Sequence, residues 1–246
     1  MLPILYHAHH HIYKEDIPFW IELASRQGSP ILEMGCGTGR VLVQLAQAGY
    51  EMFGLDKDPG MLAVLQENLA PGLREHTLIF SGDFTSFHLD LNFPLIIMPC
   101  NTYSTLSARE RQETLESARQ HLCPGGVFAA SLPNPDLLNE LPSRSDPEIE
   151  DTFPHPLDDE PVQVSSAWEH TPGGFTVHWY YDHLSPDGGV ERFTTQVHHN
   201  LVSLQAYKAE IKGAGLRVVN IYGDFKKNPY SSDSPFLVLV IGRQGR

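Results

Sequence analysis

Short apolar runs alternate, over the first half of the chain, with longer segments whose apolar residues recur at helical spacing. Residues 30–34, Glu51 to Leu55, 76–81, Pro94 to Met98 and Val127 to Leu132 read as strands. Pro94 to Met98 is continuously apolar, as a strand covered on both faces must be. Between the strands, Val41, Leu42, Leu45 and Ala48 share one helical face that Gly49 stops. Met61, Leu62, Leu65 and Leu69 form a second such face behind Pro59, and residues 107–122 form a third helix. Strict alternation of strand and helix predicts right-handed crossovers and an open, doubly wound α/β sheet. Such a sheet binds ligands beyond the carboxyl ends of its strands.

The second half follows another pattern. Residues 133–161 hold seven prolines and many acids and read as a long loop. Three strand-like runs, 162–169, 174–184 and 190–201, follow as a small antiparallel sheet joined by Gly-rich turns. Ser203 is positioned to cap a helix that ends at Gly213, and Leu216 to Ile221 and Phe236 to Ile241 complete the set of strands. At the other end, residues 1–28 read as a polar entry segment and then a helix stopping at Gly28. The expectation is one domain over 1–246. Residues 133–201 are an inserted loop plus antiparallel lid, and 1–28 are an N-terminal helical cap.

Charge narrows the chemistry. Seventeen Lys and Arg stand against thirty Asp and Glu, a formal net charge of −13. That balance argues against a nucleic-acid partner, whose affinity comes largely from basic residues displacing counterions. Three cysteines without CxxC spacing argue against disulfides and zinc and fit a reducing, cytoplasmic location. No 18-residue apolar stretch occurs, so a membrane span is not expected. His7, His9, His10 and His11 cluster near the start, but with no Glu or Cys at ligand spacing on what reads as a flexible segment, no metal site is expected.

The most informative stretch is Ile31 to Arg40, a strand running into Gly35, Gly37 and Gly39 and then into a helix. Glycines allow a sharp turn and close approach of a ligand to the backbone. A dinucleotide fingerprint would place its third glycine where Arg40 stands, which disfavours a pyrophosphate ligand and an NAD-dependent dehydrogenase. Asp56 lies 21 positions beyond Gly35 at the end of the second strand, where a carboxylate can accept both hydroxyls of a ribose. Asp83 and Phe84 offer an acceptor and an aromatic face after the third strand, and Pro99, Cys100 and Asn101 follow the fourth.

Together these residues resemble the class I S-adenosylmethionine (SAM) methyltransferases, small-molecule branch, over about 28–132 and 203–241. The resemblance implies a Rossmann-like, seven-stranded, mostly parallel sheet, with the antiparallel insertion before the sixth strand. It implies SAM as cofactor, held by Glu33, Gly35, Cys36, Gly37, Gly39, Asp56, Lys57, Met61, Asp83, Phe84, Pro99, Cys100 and Asn101. Asn228-Pro229-Tyr230 matches the signature of nucleic-acid methylating relatives in letters only and reads as a turn.

The expected reaction is methyl transfer to N, O or C of a small metabolite. Asn101, Tyr103, His178 and Tyr180 are catalytic candidates by residue type, with Tyr6, His7 and Tyr13 behind them. In the strand around Trp179, His178, Tyr180 and Asp182 share one face and Val177, Trp179 and Tyr181 the other. Either face can roof a pocket, or pack on another subunit of a homodimer. A SAM-binding regulatory or partner-binding protein without turnover is the alternative from a different class, since a fold does not by itself prove activity.

Overall fold

The computed structural model describes residues 1–243. In chain order these form α1 (Leu2–His10), α2 (Ile17–Gln27), β1 (Ile31–Met34), α3 (Arg40–Gln47), β2 (Met52–Asp56), α4 (Pro59–Asn68), β3 (Thr77–Ser81) and β4 (Phe93–Met98). A short α5 (Thr102–Thr105), α6 (Ala108–His121), β5 (Leu122–Pro133) and α7 (Pro135–Glu140) follow. Then come β6 (Glu148–Pro154), β7 (Pro161–Thr171), β8 (Gly174–Leu184), β9 (Val190–Asn200), α8 (Leu204–Gly213), β10 (Leu216–Tyr222) and β11 (Phe236–Arg243).

Seven strands form one sheet in the order β10-β11-β5-β4-β1-β2-β3. All pairings are parallel except those of β11, which runs antiparallel to both β5 and β10. Strand order reverses between β1 and β4. The loops leaving their carboxyl ends therefore diverge to opposite faces and open a crevice at that point. The sheet is covered on both sides. Leu32, Met34, Ile96 and Phe128 pack with Leu115 of α6 and Ile211 of α8 on one face. Ile31, Leu95 and Ile97 pack with Trp20 of α2 and Val41 and Leu42 of α3 on the other.

Local signals fix the helices. Ser107 and Glu110 form a reciprocal capping box at the start of α6, Asp58 accepts the Gly60 and Met61 amides of α4, and Ser203 accepts the Ala206 amide of α8. Ala46, rather than the exposed Ala48, completes the buried face of α3.

Two expectations are corrected. The entry segment is helix α1, started by Pro3 in its first turn and anchored by the fully buried Leu5. Residues 133–161 are not one loop. Asn134 caps α7 by accepting the Asp136 amide, and β6 pairs antiparallel with β7, so the insertion is a four-stranded sheet, β6-β7-β8-β9. Prolines at both ends of β6 and its exposed faces hid it. Only Asp151 and Phe153 are partly buried, and Pro154 terminates the strand. No helix among the described residues is long and apolar enough to cross a membrane.

Candidate active site

The glycine turn closes on the strand beside it. Gly35 and Cys36 donate their amides to the Leu55 carbonyl at 2.7 and 3.1 Å, and Gly37 donates to Asp56 Oδ2 at 2.8 Å. These amides are engaged by the protein, so this loop is no anion nest, in keeping with a ligand that has no pyrophosphate. The three glycines have different causes. At Gly39 (φ 86°) a Cβ would lie 2.2 Å from Leu65 Cδ1, so glycine permits α3 and α4 to pack. At Gly35 (φ 73°) it would lie 3.1 Å from Thr102 Cγ2. At Gly37 (φ 53°) a Cβ would meet nothing within 4 Å, and the backbone borders open space.

Around that space stand acceptors with capacity to spare. Asp56 Oδ1 takes the Asp58 amide at 2.9 Å, so each carboxylate oxygen has one protein donor and a further lone pair. Asp83 is exposed and receives the Thr85 amide and hydroxyl on a single oxygen, Oδ1. Those bonds and the nearby Lys57 ammonium hold its carboxyl below the usual range. Glu33 is 2% exposed, and its Oε2 has no hydrogen-bond partner among the described residues. Burial pushes its carboxyl well above the carboxylate range, with Arg40 opposing and Asp16 and Asp56 adding.

Several nominated side chains do not face this space. Cys36 points into the core against Gly54, where burial pushes its thiol up, so only its backbone borders the loop. The Phe84 ring is buried beside Gly35 in the sheet core. Lys57 is exposed. Met61, Cys100 and Asn101 do reach the crevice, Cys100 and Asn101 both in left-handed conformation (φ 60° and 62°), and Pro99 is buried behind them.

The crevice opens into a cavity of about 550 Å³. Its floor is Cys100, Asn101, Ser131 and Phe236 at the carboxyl ends of the sheet, and its roof is Phe175, Val177, Trp179, Tyr181, Val197 and His199 of the four-stranded sheet. The N-terminal segment closes a third side with Tyr6, His10 and Tyr13. His9 Nδ1 meets Tyr181 Oη at 3.2 Å, and His9 and His10 both lie edge-on to Trp179, which seats α1 against the roof.

The lining fixes which face of β8 meets the cavity and places two of the catalytic candidates away from it. His178 and Tyr180 lie on the outer face, where His178 sits 3.3 Å from Glu169 and Tyr180 lies under the Arg192 guanidinium. Tyr103 is likewise removed from the cavity, fully buried against Phe128 and Tyr207. Asn101 alone of the four lines it.

Three features escaped the sequence reading. Arg40, noted there only as the absence of a glycine, forks onto Asp16 at 2.6 and 2.7 Å and donates to the Tyr13 carbonyl at 2.9 Å. Its guanidinium also lies 5.1 Å above the Tyr13 ring and 2.9 Å from Cys100 Sγ. Burial opposes the charge, but Asp16 and Cys100 hold it in place. The Cys100 thiol, open to the cavity and enclosed by its walls, is pushed up to about 11 by burial despite Arg40. His10 and His199 are the others, both neutral because burial lowers each to about 4. The terminal histidines were visible as a cluster, but the register that aims His10 inward depends on α1, whose existence the polar composition concealed.

Away from this site, His155, Asp158 and His183 bring ligand-type atoms within 4.8 Å of one another, a grouping the expectation of no metal did not foresee. Both imidazoles lie against the Asp158 carboxylate, at 3.0 and 3.2 Å, and tie the β6–β7 loop to β8.

The comparisons agree with this architecture. Residues 31–126 match a methyltransferase domain family. The putative methyltransferase YqeM of Bacillus subtilis is 23% identical over 221 residues, covering 87% of this chain and 84% of that protein. The cypemycin N-terminal methyltransferase of a Streptomyces species is 26% identical over 224 residues, with coverage of 88% and 84%. SAM-bound CalS10, an amino pentose methyltransferase from Micromonospora echinaspora, superposes with a TM-score of 0.71 at 20% identity, covering 98% of this chain and 95% of that one. Residues 31–126 are thus similar to a methyltransferase domain, and the chain as a whole has the fold of the class I SAM-dependent methyltransferases.

Proposed function

We propose that this enzyme methylates a small molecule, at a nucleophilic N, O or C atom, inside the cavity between the glycine loop and the four-stranded lid. One observation carries the reading: Arg40, Met61, Cys100 and Asn101, from the helices after the first two strands and the turn after the fourth, line one largely apolar chamber with Phe175, Trp179 and Tyr181 of the second sheet, a concave site suited to a compact acceptor and far less to a polymer surface. The relatives' names are in keeping with this, one a cypemycin N-terminal methyltransferase and one an amino pentose methyltransferase.

The residues fit the cofactor. Gly37 leaves room for its backbone-facing side, Asp56 has lone pairs for the two ribose hydroxyls, and Met61 and the unused oxygen of Asp83 suit the adenine end. Tyr13 Oη and Glu33 Oε2, both buried without hydrogen-bond partners among the described residues, are the kind of polar atoms a bound ligand satisfies. When bound, SAM supplies a methyl group activated on a sulfonium. The protein's own task is positioning. Asn101 and the roof hold the acceptor in line, and Trp179, Phe175 and Phe236 exclude water. Alignment of this kind is worth effective molarities of about 10⁵ to 10⁸ M.

Calorimetry with SAM, S-adenosylhomocysteine and NAD, followed by incubation of methyl-labelled SAM with metabolite fractions, tests the proposal. Label appearing in a low-molecular-weight product is the expected result. Tight SAM binding with no labelled product from any fraction would favour the non-catalytic alternative, and preference for NAD would overturn the site assignment.

A further inference from the structure

We propose that the acceptor end of the cavity recognises a neutral amine, its N–H groups accepted by Nε2 of His10 and Nε2 of His199. This deepens the methyltransferase reading and rests on it.

The argument is one of proton accounting. Ser104 Oγ has a single hydrogen, and the Asn101 carbonyl 2.6 Å away can only accept, so that hydrogen is committed there. The contact of 2.8 Å between Ser104 Oγ and His199 Nδ1 must then have His199 donating. A neutral imidazole carries one N–H, which leaves His199 Nε2 as a bare lone pair. His10 reaches the same state by a separate route. Its Nδ1 lies 3.1 Å from the Tyr6 carbonyl, which again can only accept, so Nδ1 holds the hydrogen and Nε2 is bare. Neither Nε2 has a protein partner among the described residues, and both rings line the same chamber.

Two fixed acceptors on opposite sources, one from α1 and one from the end of β9, call for two donors. A primary amine has them. With its N–H bonds given to the two histidines, the nitrogen keeps its lone pair unshared and available as the nucleophile. The walls exclude the opposite chemistry. The cation on the lining, Arg40, is consumed by Asp16, the Tyr13 carbonyl and Cys100, so no free positive charge awaits a carboxylate or phosphate. Most of the remaining surface is apolar, from Phe175, Val177, Trp179, Phe225 and Phe236. Burial keeps both imidazoles uncharged at neutral pH, so they remain acceptors under working conditions.

The test uses the full-length protein, ¹⁵N-labelled at histidine and saturated with S-adenosylhomocysteine. Long-range proton–nitrogen correlations at pH 7 are expected to show Nδ1–H and an unprotonated Nε2 for both rings. Aniline, an amine uncharged at that pH, should shift both Nε2 resonances, and benzoate should need at least about tenfold higher concentration for an equal shift. His10→Gln, which keeps an acceptor near the Nε2 position, should retain the aniline response of His199, and His10→Leu should weaken it. An Nε2–H tautomer or a charged ring at pH 7 overturns the proposal, as does an equal response, including none, to aniline and benzoate. Calorimetric binding of S-adenosylhomocysteine to the same sample is scored separately, and its failure would count against the cofactor site instead.

Discussion

Asp16 receives both terminal nitrogens of Arg40, and the pair joins the N-terminal segment to the first residue of the helix that follows the glycine turn. Asp16 is 1% exposed and also accepts the Trp20 indole N–H at 2.9 Å. Removing one partner of such a pair strands a buried charge. Arg40→Met should destabilise the fold by about 3 to 5 kcal/mol, and adding Asp16→Asn should recover part of it. Denaturant unfolding of the single and double variants measures this. A loss below about 1 kcal/mol in Arg40→Met would show that the ion pair is incidental.

The glycines should separate by phenotype. Gly37→Val places a branched side chain in open space at positive φ, so it should leave the protein folded and abolish measurable SAM binding. Gly39→Val must displace Leu65 and should lower the thermal midpoint whether or not ligand is present. Thermal melts with and without SAM distinguish the two, and identical behaviour would mean the loop has been misread.

Asp56→Ala should weaken SAM binding by about 1.5 to 3 kcal/mol by calorimetry, since a charged acceptor is lost from two hydroxyls. The Gly37 amide loses its partner in the same variant. Unchanged affinity would exclude the ribose role.

On the lid, Trp179→Ala and Tyr181→Phe should reduce turnover or alter acceptor preference while SAM affinity stays within about threefold, roughly 0.65 kcal/mol. His178→Phe and Tyr180→Phe, on the outer face, should turn over at the parental rate. The reverse pattern would place the reacting molecule elsewhere.

Stability should fall on acidification in a defined window. His10 and His199 have folded values of about 4, below the ordinary 6.5, so between those limits the unfolded chain binds more protons than the folded one. Their contribution is present above about pH 6.5 and is lost as pH falls toward 4. Urea midpoints measured from pH 7 to pH 4 should decline, and the decline should be shallower in His199→Gln. A slope unaltered by that substitution would show that His199 titrates normally.

Much of this molecule was legible in advance. The order of strands and helices followed from periodicity, and the tight turn at Gly35 to Gly39 beside Asp56 was visible in sequence, because local turn chemistry is written in adjacent residues. The acceptor side was not. Whether Trp179 or Tyr180 faces inward depends on the face of β8 that meets Leu5, Val162 and Val164, and alternation alone leaves the two faces equivalent. Likewise nothing near Arg40 in sequence announces Asp16, 24 positions away. Tyr103 was nominated by type, but the turn after β4 folds it inward onto Phe128.

The interior position of β11 bears on biosynthesis. It lies between β5 and β10, pairing Phe236 with Pro133 and Val238 with both Ser131 and Tyr222, and it carries the chamber's floor residue Phe236. Until that strand leaves the ribosome, β5 presents an open edge and the chamber lacks part of its floor. The nascent chain must therefore hold its five parallel strands, already translated, until β11 arrives to close the sheet and complete the chamber in one step.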